Sequence, residues 1–106
     1  MSLAKYASTV EQTLANKIIS DALAAGYAIS VIDGEEVTVK QSSDADTIRN
    51  AMATTEFDTL LFYRDGKSVG LVILIWGNGR DLISDYSDNA EVEVILSGAM
   101  DLSDTL

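Results

Sequence analysis

Asp-Gly occurs twice in this chain, at Asp33-Gly34 and Asp65-Gly66, each time between two runs of strand-forming residues. A turn dipeptide flanked by such runs is a strong short-range signal for a β-hairpin. The first would join Tyr27-Ala-Ile-Ser-Val-Ile32 to Glu35-Glu-Val-Thr-Val-Lys40. The second would join Thr59-Leu-Leu-Phe-Tyr-Arg64 to Ser68-Val-Gly-Leu-Val-Ile-Leu-Ile-Trp76. Two hairpins commit the chain to an antiparallel sheet.

Burial predicts the registers, because a slip of one residue turns every side chain to the other face. In the first hairpin a tight turn at Asp33-Gly34 sets Val31 opposite Glu36. Moving by one residue sets Val31 opposite Val37 and Ile29 opposite Val39, so an odd loop or a bulge is expected there. In the second hairpin the two-residue turn agrees with the pattern, placing Phe62 opposite Val69 and Leu60 opposite Leu71. The last strand is apolar on both faces, with Leu71, Ile73 and Ile75 on one and Val72, Leu74 and Trp76 on the other. Strands of that kind are usually central and covered on both sides.

Helices surround the hairpins. Ser8-Thr-Val-Glu11 is a capping box, and Val10, Leu14, Ile18 and Ala22, with Ile19 and Leu23 beside them, form one apolar stripe. This predicts a helix over about residues 8–25, stopped by Gly26. A second, short helix is expected after Ser43 as cap, with Ile48, Ala51 and Met52 inward and an end near Ala53. Asp81-Leu-Ile-Ser-Asp-Tyr86 reads as a fifth strand. Asp88-Asn-Ala-Glu91 resembles another capping box, opening a third helix to about Ser97 with Gly98 as its stop; the alternation in Glu91-Val-Glu-Val-Ile makes a strand the competing reading. The expectation is one α+β domain over 1–106, with an antiparallel sheet of four or five strands and two or three helices, in the order α-β-β-α-β-β-(β)-α. Met1-Ser2-Leu3 reads as an expression remnant.

Composition then narrows function. The chain has 17 carboxylates, 7 basic residues and a net charge of -10, with no histidine, cysteine or proline. Without histidine the most used general base is missing. Without cysteine there is no thiol nucleophile, disulfide or thiolate zinc site. The charge disfavours direct nucleic-acid and anionic-membrane binding, since both depend on Lys and Arg. No apolar run has the length of a membrane span, and the N-terminus lacks a signal-peptide pattern, so the cytoplasm is the expected compartment. No cofactor is expected.

Several clusters invite a sharper reading. Gly77-Asn78-Gly79-Arg80 follows a strand as a phosphate loop would, but the third glycine of G-x-G-x-x-G falls on Leu82, so a turn with positive φ is expected. Asp81, Asp85 and Asp88 would align on a helix as hard oxygen ligands for Ca²⁺ or Mg²⁺, yet the spacing does not match a calcium loop; a solvated acidic face is the plainer expectation. Asp33, Glu35 and Glu36 read as turn solvation. Tyr6, Tyr27, Tyr63 and Tyr86 lack the basic neighbours of a nucleic-acid stacking surface. From Asp81 to Leu106 there are seven acidic residues and no basic one. Asp81, Asp85, Asp88, Glu91 and Glu93 are the candidate interaction surface, suited to imitate phosphates before a basic partner.

Gly70-Leu-Val-Ile-Leu-Ile-Trp-Gly-Asn-Gly-Arg-Asp-Leu-Ile-Ser-Asp-Tyr-Ser-Asp-Asn89, with Ala25-Gly-Tyr-Ala-Ile-Ser-Val-Ile-Asp-Gly34 upstream, resembles small uncharacterised acidic proteins encoded in phages and proteobacterial genomes. The resemblance implies a bacterial or phage accessory protein and transfers no site.

The expected function is therefore that of a small non-enzymatic interaction protein, in its most concrete form an acidic inhibitor or nucleic-acid mimic. The alternative is a small carboxylate-based enzyme or divalent-metal protein. A homodimer is expected, because two helices cover only one face of the sheet. Val72, Leu74 and Trp76 are then the candidate dimer contact.

Overall fold

A computed structural model describes residues 7–53 and 55–105. Met1-Ser2-Leu3 and Tyr6 lie outside the described residues. Helix α1 (Thr9–Ala24) opens on the expected capping box: Glu11 N–H donates to Ser8 Oγ at 3.2 Å and Ser8 N–H donates to Glu11 Oε1 at 2.9 Å. Gly26, at φ 91°, takes the left-handed step that ends it. Strands β1 (Ala28–Asp33) and β2 (Glu36–Ser42) form the first hairpin. Helix α2 (Ala45–Asn50) leads into β3 (Phe57–Arg64) and β4 (Lys67–Ile75). A 3-10 turn (Gly79–Asp81), β5 (Ile83–Tyr86) and α3 (Ala90–Ser103) follow. The fold is α+β in the expected order, with five antiparallel strands arranged β2-β1-β3-β4-β5.

Both hairpin registers differ from the expected ones. In the first, Asp33 pairs with Glu36 and Ile32 with Val37, so the tight turn exists but consists of Gly34-Glu35. Val31 pairs with Val39, not Val37, because a bulge follows within β2, and a second one brings Ile29 opposite Ser42. The bulges let β2 turn Val39 toward the core and Val37 away from it. In the second hairpin the turn at Asp65-Gly66 is as expected, with Arg64 opposite Lys67 and Tyr63 opposite Ser68. Val69 is then an extra residue, so Phe62 pairs with Gly70, Leu61 with Leu71 and Leu60 with Val72.

That one bulge decides the faces. Residues in register share a face, so Ile29, Val31, Leu60, Phe62, Val72 and Leu74 line one side of the sheet, and all are fully buried. They form a single cluster with the inward residues of all three helices, including Ile18, Ile48 and Ile95. Trp76 belongs to it. The residues expected to form the dimer contact, Val72, Leu74 and Trp76, are therefore interior residues beneath the chain's own helices.

Two helix boundaries also need correction. Asp44, not Ser43, caps α2, accepting from Asp46 N–H at 3.2 Å. Asn89 caps α3 by accepting from Val92 N–H at 2.9 Å, and the helix runs through Gly98 to Ser103. Gly98 is where α1 crosses: a Cβ there would press on Lys17 and Asp21, themselves an ion pair at 3.1 Å.

Candidate interaction face and the buried carboxylates

The opposite side of the sheet is apolar and has no helix over it among the described residues. The register places Ser30 beside Leu61 and Leu71, Ile32 beside Thr59 and Ile73, and Phe57 beside Ile75. Val37 extends the face on β2 and Asp85 bounds it on β5. Phe57 and Val37 are 39% and 51% exposed, and Ile32, Leu61, Leu71, Ile73 and Ile75 are half-buried by one another. None of these seven packs against the core. No charged side chain stands on this face within β1, β3 and β4. Sequence reasoning located the doubly apolar strand correctly and assigned its outer face to the wrong set of alternate residues.

Apart from Asp85 at its edge, the candidate acidic residues lie elsewhere. Asp81, Asp85, Asp88, Glu91 and Glu93 are all exposed, spread over the 3-10 turn, β5, the link that follows it and the first turn of α3. Glu91 is set apart from the other four by its partners: it accepts from Tyr27 Oη at 2.9 Å and approaches Arg64 Nε at 4.0 Å. Arg64 stacks over the Tyr27 ring at 4.2 Å from its centroid. Tyr27 and Arg64 border an open groove of about 450 Å³, lined also by Asp21, Ala25 and Val94. Tyr27 and Arg64 spend their polar atoms on Glu91 and on the carbonyl of Ala25, which leaves the groove without convergent polar groups from these two residues. Among the described residues no group of three or more acidic side chains could hold a metal ion.

Two carboxylates that composition did not single out are buried, and both grip the end of β4. Glu11, 1% exposed, reaches from α1 into the Gly77-Asn78-Gly79 turn. Its Oε2 accepts from three successive backbone N–H groups, Gly77 at 2.6 Å, Asn78 at 2.9 Å and Gly79 at 3.2 Å. Positive φ at Gly77 and Gly79 curls the backbone into an anion-binding nest. The glycine-rich turn is thus built for an anion, and the chain supplies its own. Burial raises the proton affinity of Glu11, but the hydrogen bonds from Ser8, Gly77 and Asn78 outweigh it and hold the carboxyl below its ordinary value. Only the Glu11 capping role was legible in the sequence.

Asp58 is completely buried. Its Oδ2 accepts from the Trp76 indole N–H and from Ala53 N–H, each at 2.7 Å. Its Oδ1 meets no hydrogen-bond donor. Asp33 stands directly across the β1–β3 ladder. Burial pushes the Asp58 carboxyl up to about 6, and Asp33 adds to the effect. Asp58 does not line the groove.

Comparison with protein-family models, curated proteins and solved structures finds no match for this chain. Among the described residues no helix is long and apolar enough to cross a membrane.

Proposed function

We propose that this is a non-enzymatic interaction protein that works as a homodimer, stacking the uncovered sheet faces of two copies and turning the acidic flanks outward. The observation that carries the reading is the charge-free apolar face of β1, β3 and β4. The three central strands, spaced by ~4.8 Å with 6 to 9 residues each, span roughly 14 by 26 Å, or on the order of 400 Å² in projection. Side-chain relief and the flanking β2 and β5 bring the contact toward the ~800 Å² per partner of a stable interface. A second copy suits the face better than a basic partner, which would find no carboxylate in its centre. Edge pairing is poorly served, since β5 has 4 residues and β2 is bulged twice. Two sheets packed face to face at ~10 Å would bury Leu61, Leu71, Ile73 and Ile75 in one self-complementary contact.

In such a dimer Asp81, Asp88 and Glu93 remain available to a protein with a basic surface, while Asp85, opposite Ile73, stands at the edge of the contact. An inhibitor or nucleic-acid mimic of the accessory type is the concrete form of this reading. The enzyme alternative draws less support, because the carboxyl raised toward neutrality is sealed in the core and away from the groove.

Sedimentation tests the dimer. The unmutated protein should run at twice the chain mass in the micromolar range, and Ile73→Lys should run as a folded monomer with an unchanged far-UV spectrum. One-chain mass for the unmutated protein from micromolar to millimolar concentration would overturn the homodimer.

A further inference from the structure

We propose that Asp33 and Asp58 share one proton in the folded protein, and that this carboxyl–carboxylate pair is a pH-responsive latch between the sheet and the segment that leads from α2 into β3. The proposal is independent of the dimer. It begins from the ladder, where the two residues are direct cross-strand partners, an arrangement that is unfavourable when both are charged. Asp58 is fully buried, and its Oδ1 has no donor. Carboxylate oxygens only accept, so two ionised groups cannot satisfy each other. One proton changes that: it turns a repulsion into an O–H···O⁻ hydrogen bond and removes a buried unpaired acceptor.

The surroundings of Asp58 fix which states are possible. From β1 it faces Asp33, the charged group that acts on it, and Asp33 in turn stands opposite the exposed Glu36 of β2. The segment before β3 offers the Ala53 N–H, the end of β4 offers the Trp76 indole N–H, and Leu74 lies opposite on β4. Two donors on Oδ2 stabilise negative charge on the pair, so the pair carries one charge and one proton. Thr55 Oγ1 donates to Asp33 and orients it.

The latch has something to hold. Ala53 is buried at φ 59°, a left-handed conformation that an alanine adopts only under constraint, and the constraint is its N–H bond to Asp58. When the proton leaves to solvent, the pair passes from one negative charge to two. Asp33 and Asp58 then repel, and the Asp58 contacts to Ala53 and Trp76 are strained together. Ile32 and Phe57, the chain neighbours of the pair, lie on the uncovered sheet face.

Trp76 is the only tryptophan and donates to Asp58, so its emission reports the latch. The emission and the Tm are followed from about pH 4.5 to about pH 8 in the unmutated protein, in Asp33→Asn and in Asp58→Asn. The folded pair binds a proton that a solvated Asp releases near 3.8, so this stability is present at acid pH and lost as pH rises through about 6. The unmutated protein should show a one-proton Trp76 transition near 6 and a Tm that falls over that range by roughly 5–15 °C more than in Asp58→Asn. Asp33→Asn, whose amide donates to Asp58, should abolish the transition or move it to acid by more than about one unit. Asp58→Asn should abolish it while keeping an acceptor for Ala53 and Trp76. A flat emission and Tm profile in the unmutated protein, or an unmoved midpoint in Asp33→Asn, would overturn the shared proton. If Asp58→Asn does not fold, Asp33→Asn decides the question by itself, since Asp33 is only half-buried.

Discussion

Gly70 on β4 lies directly beneath Val92 of α3: a Cβ at position 70 would overlap the Val92 Cγ2 methyl and crowd Ser87. At φ 151° the backbone there is also one that side chains rarely adopt. The bulge at Val69 and this glycine work together, since the extra residue turns Gly70, Val72 and Leu74 toward the helices and the missing side chain lets α3 approach. Gly70→Ala should therefore cost about 2–4 kcal/mol, from overpacking and from strain at positive φ. Val92→Ala placed in the Gly70→Ala background should recover part of that loss. A chemical-denaturation cycle of the four proteins measures it, and strict additivity would show that the two sites do not touch.

Removing the Glu11 carboxylate should be among the most damaging single changes outside the apolar core. Glu11→Ala leaves three backbone N–H donors around an empty nest and breaks the capping box, for an expected loss of about 3 kcal/mol. Formate or acetate should restore part of the stability of Glu11→Ala and not that of Glu11→Gln, whose amide fills the space. Thermal melts with each anion, against chloride at equal ionic strength, read the difference.

The pH dependence of Glu11 runs opposite to that of Asp58. Its folded carboxyl sits below its ordinary value of 4.5, so its contribution is present above that value and lost as pH falls through the lower, folded one. An acid titration should thus show stability falling as Glu11 takes up its proton, a step that Glu11→Gln lacks. Together with Asp58, this predicts a stability maximum on the acid side of neutrality.

Salt should strengthen the homodimer. Each chain carries a net charge of -10 while the proposed contact carries none at its centre, so screening removes repulsion and leaves the apolar attraction. The dimer dissociation constant should fall as sodium chloride rises from about 50 to about 500 mM. Association with a basic partner through Asp81, Asp88 and Glu93 would weaken over the same range, which separates the two contacts in one sedimentation series.

Divalent cations should do little. With no cluster of three or more acidic ligands among the described residues, Ca²⁺ and Mg²⁺ should each stabilise by well under the ~3 kcal/mol expected at 100-fold excess over a real dissociation constant. A calorimetric melt with and without each ion is the check.

The sequence by itself determined the elements and their order. The Ser8–Glu11 capping box, the Gly26 stop and the two Asp-Gly turns are local signals, and each marks a boundary that the structure keeps to within a residue or two. What lay beyond it were the bulges at Val69 and within β2, because an inserted ladder residue leaves no mark on hydrophobicity when the strand is apolar on both faces. Leu71, Ile73 and Ile75 are as apolar as Val72, Leu74 and Trp76, so composition could not say which set the helices would cover. Packing decided it, through the approach of α3 to a glycine. The same holds for the carboxylates. Glu11 meets Gly77 across 66 residues, and Asp58 meets Asp33 and Trp76 from different strands. Burial and opposition made these two acids different from the other fifteen, and only a folded chain has either.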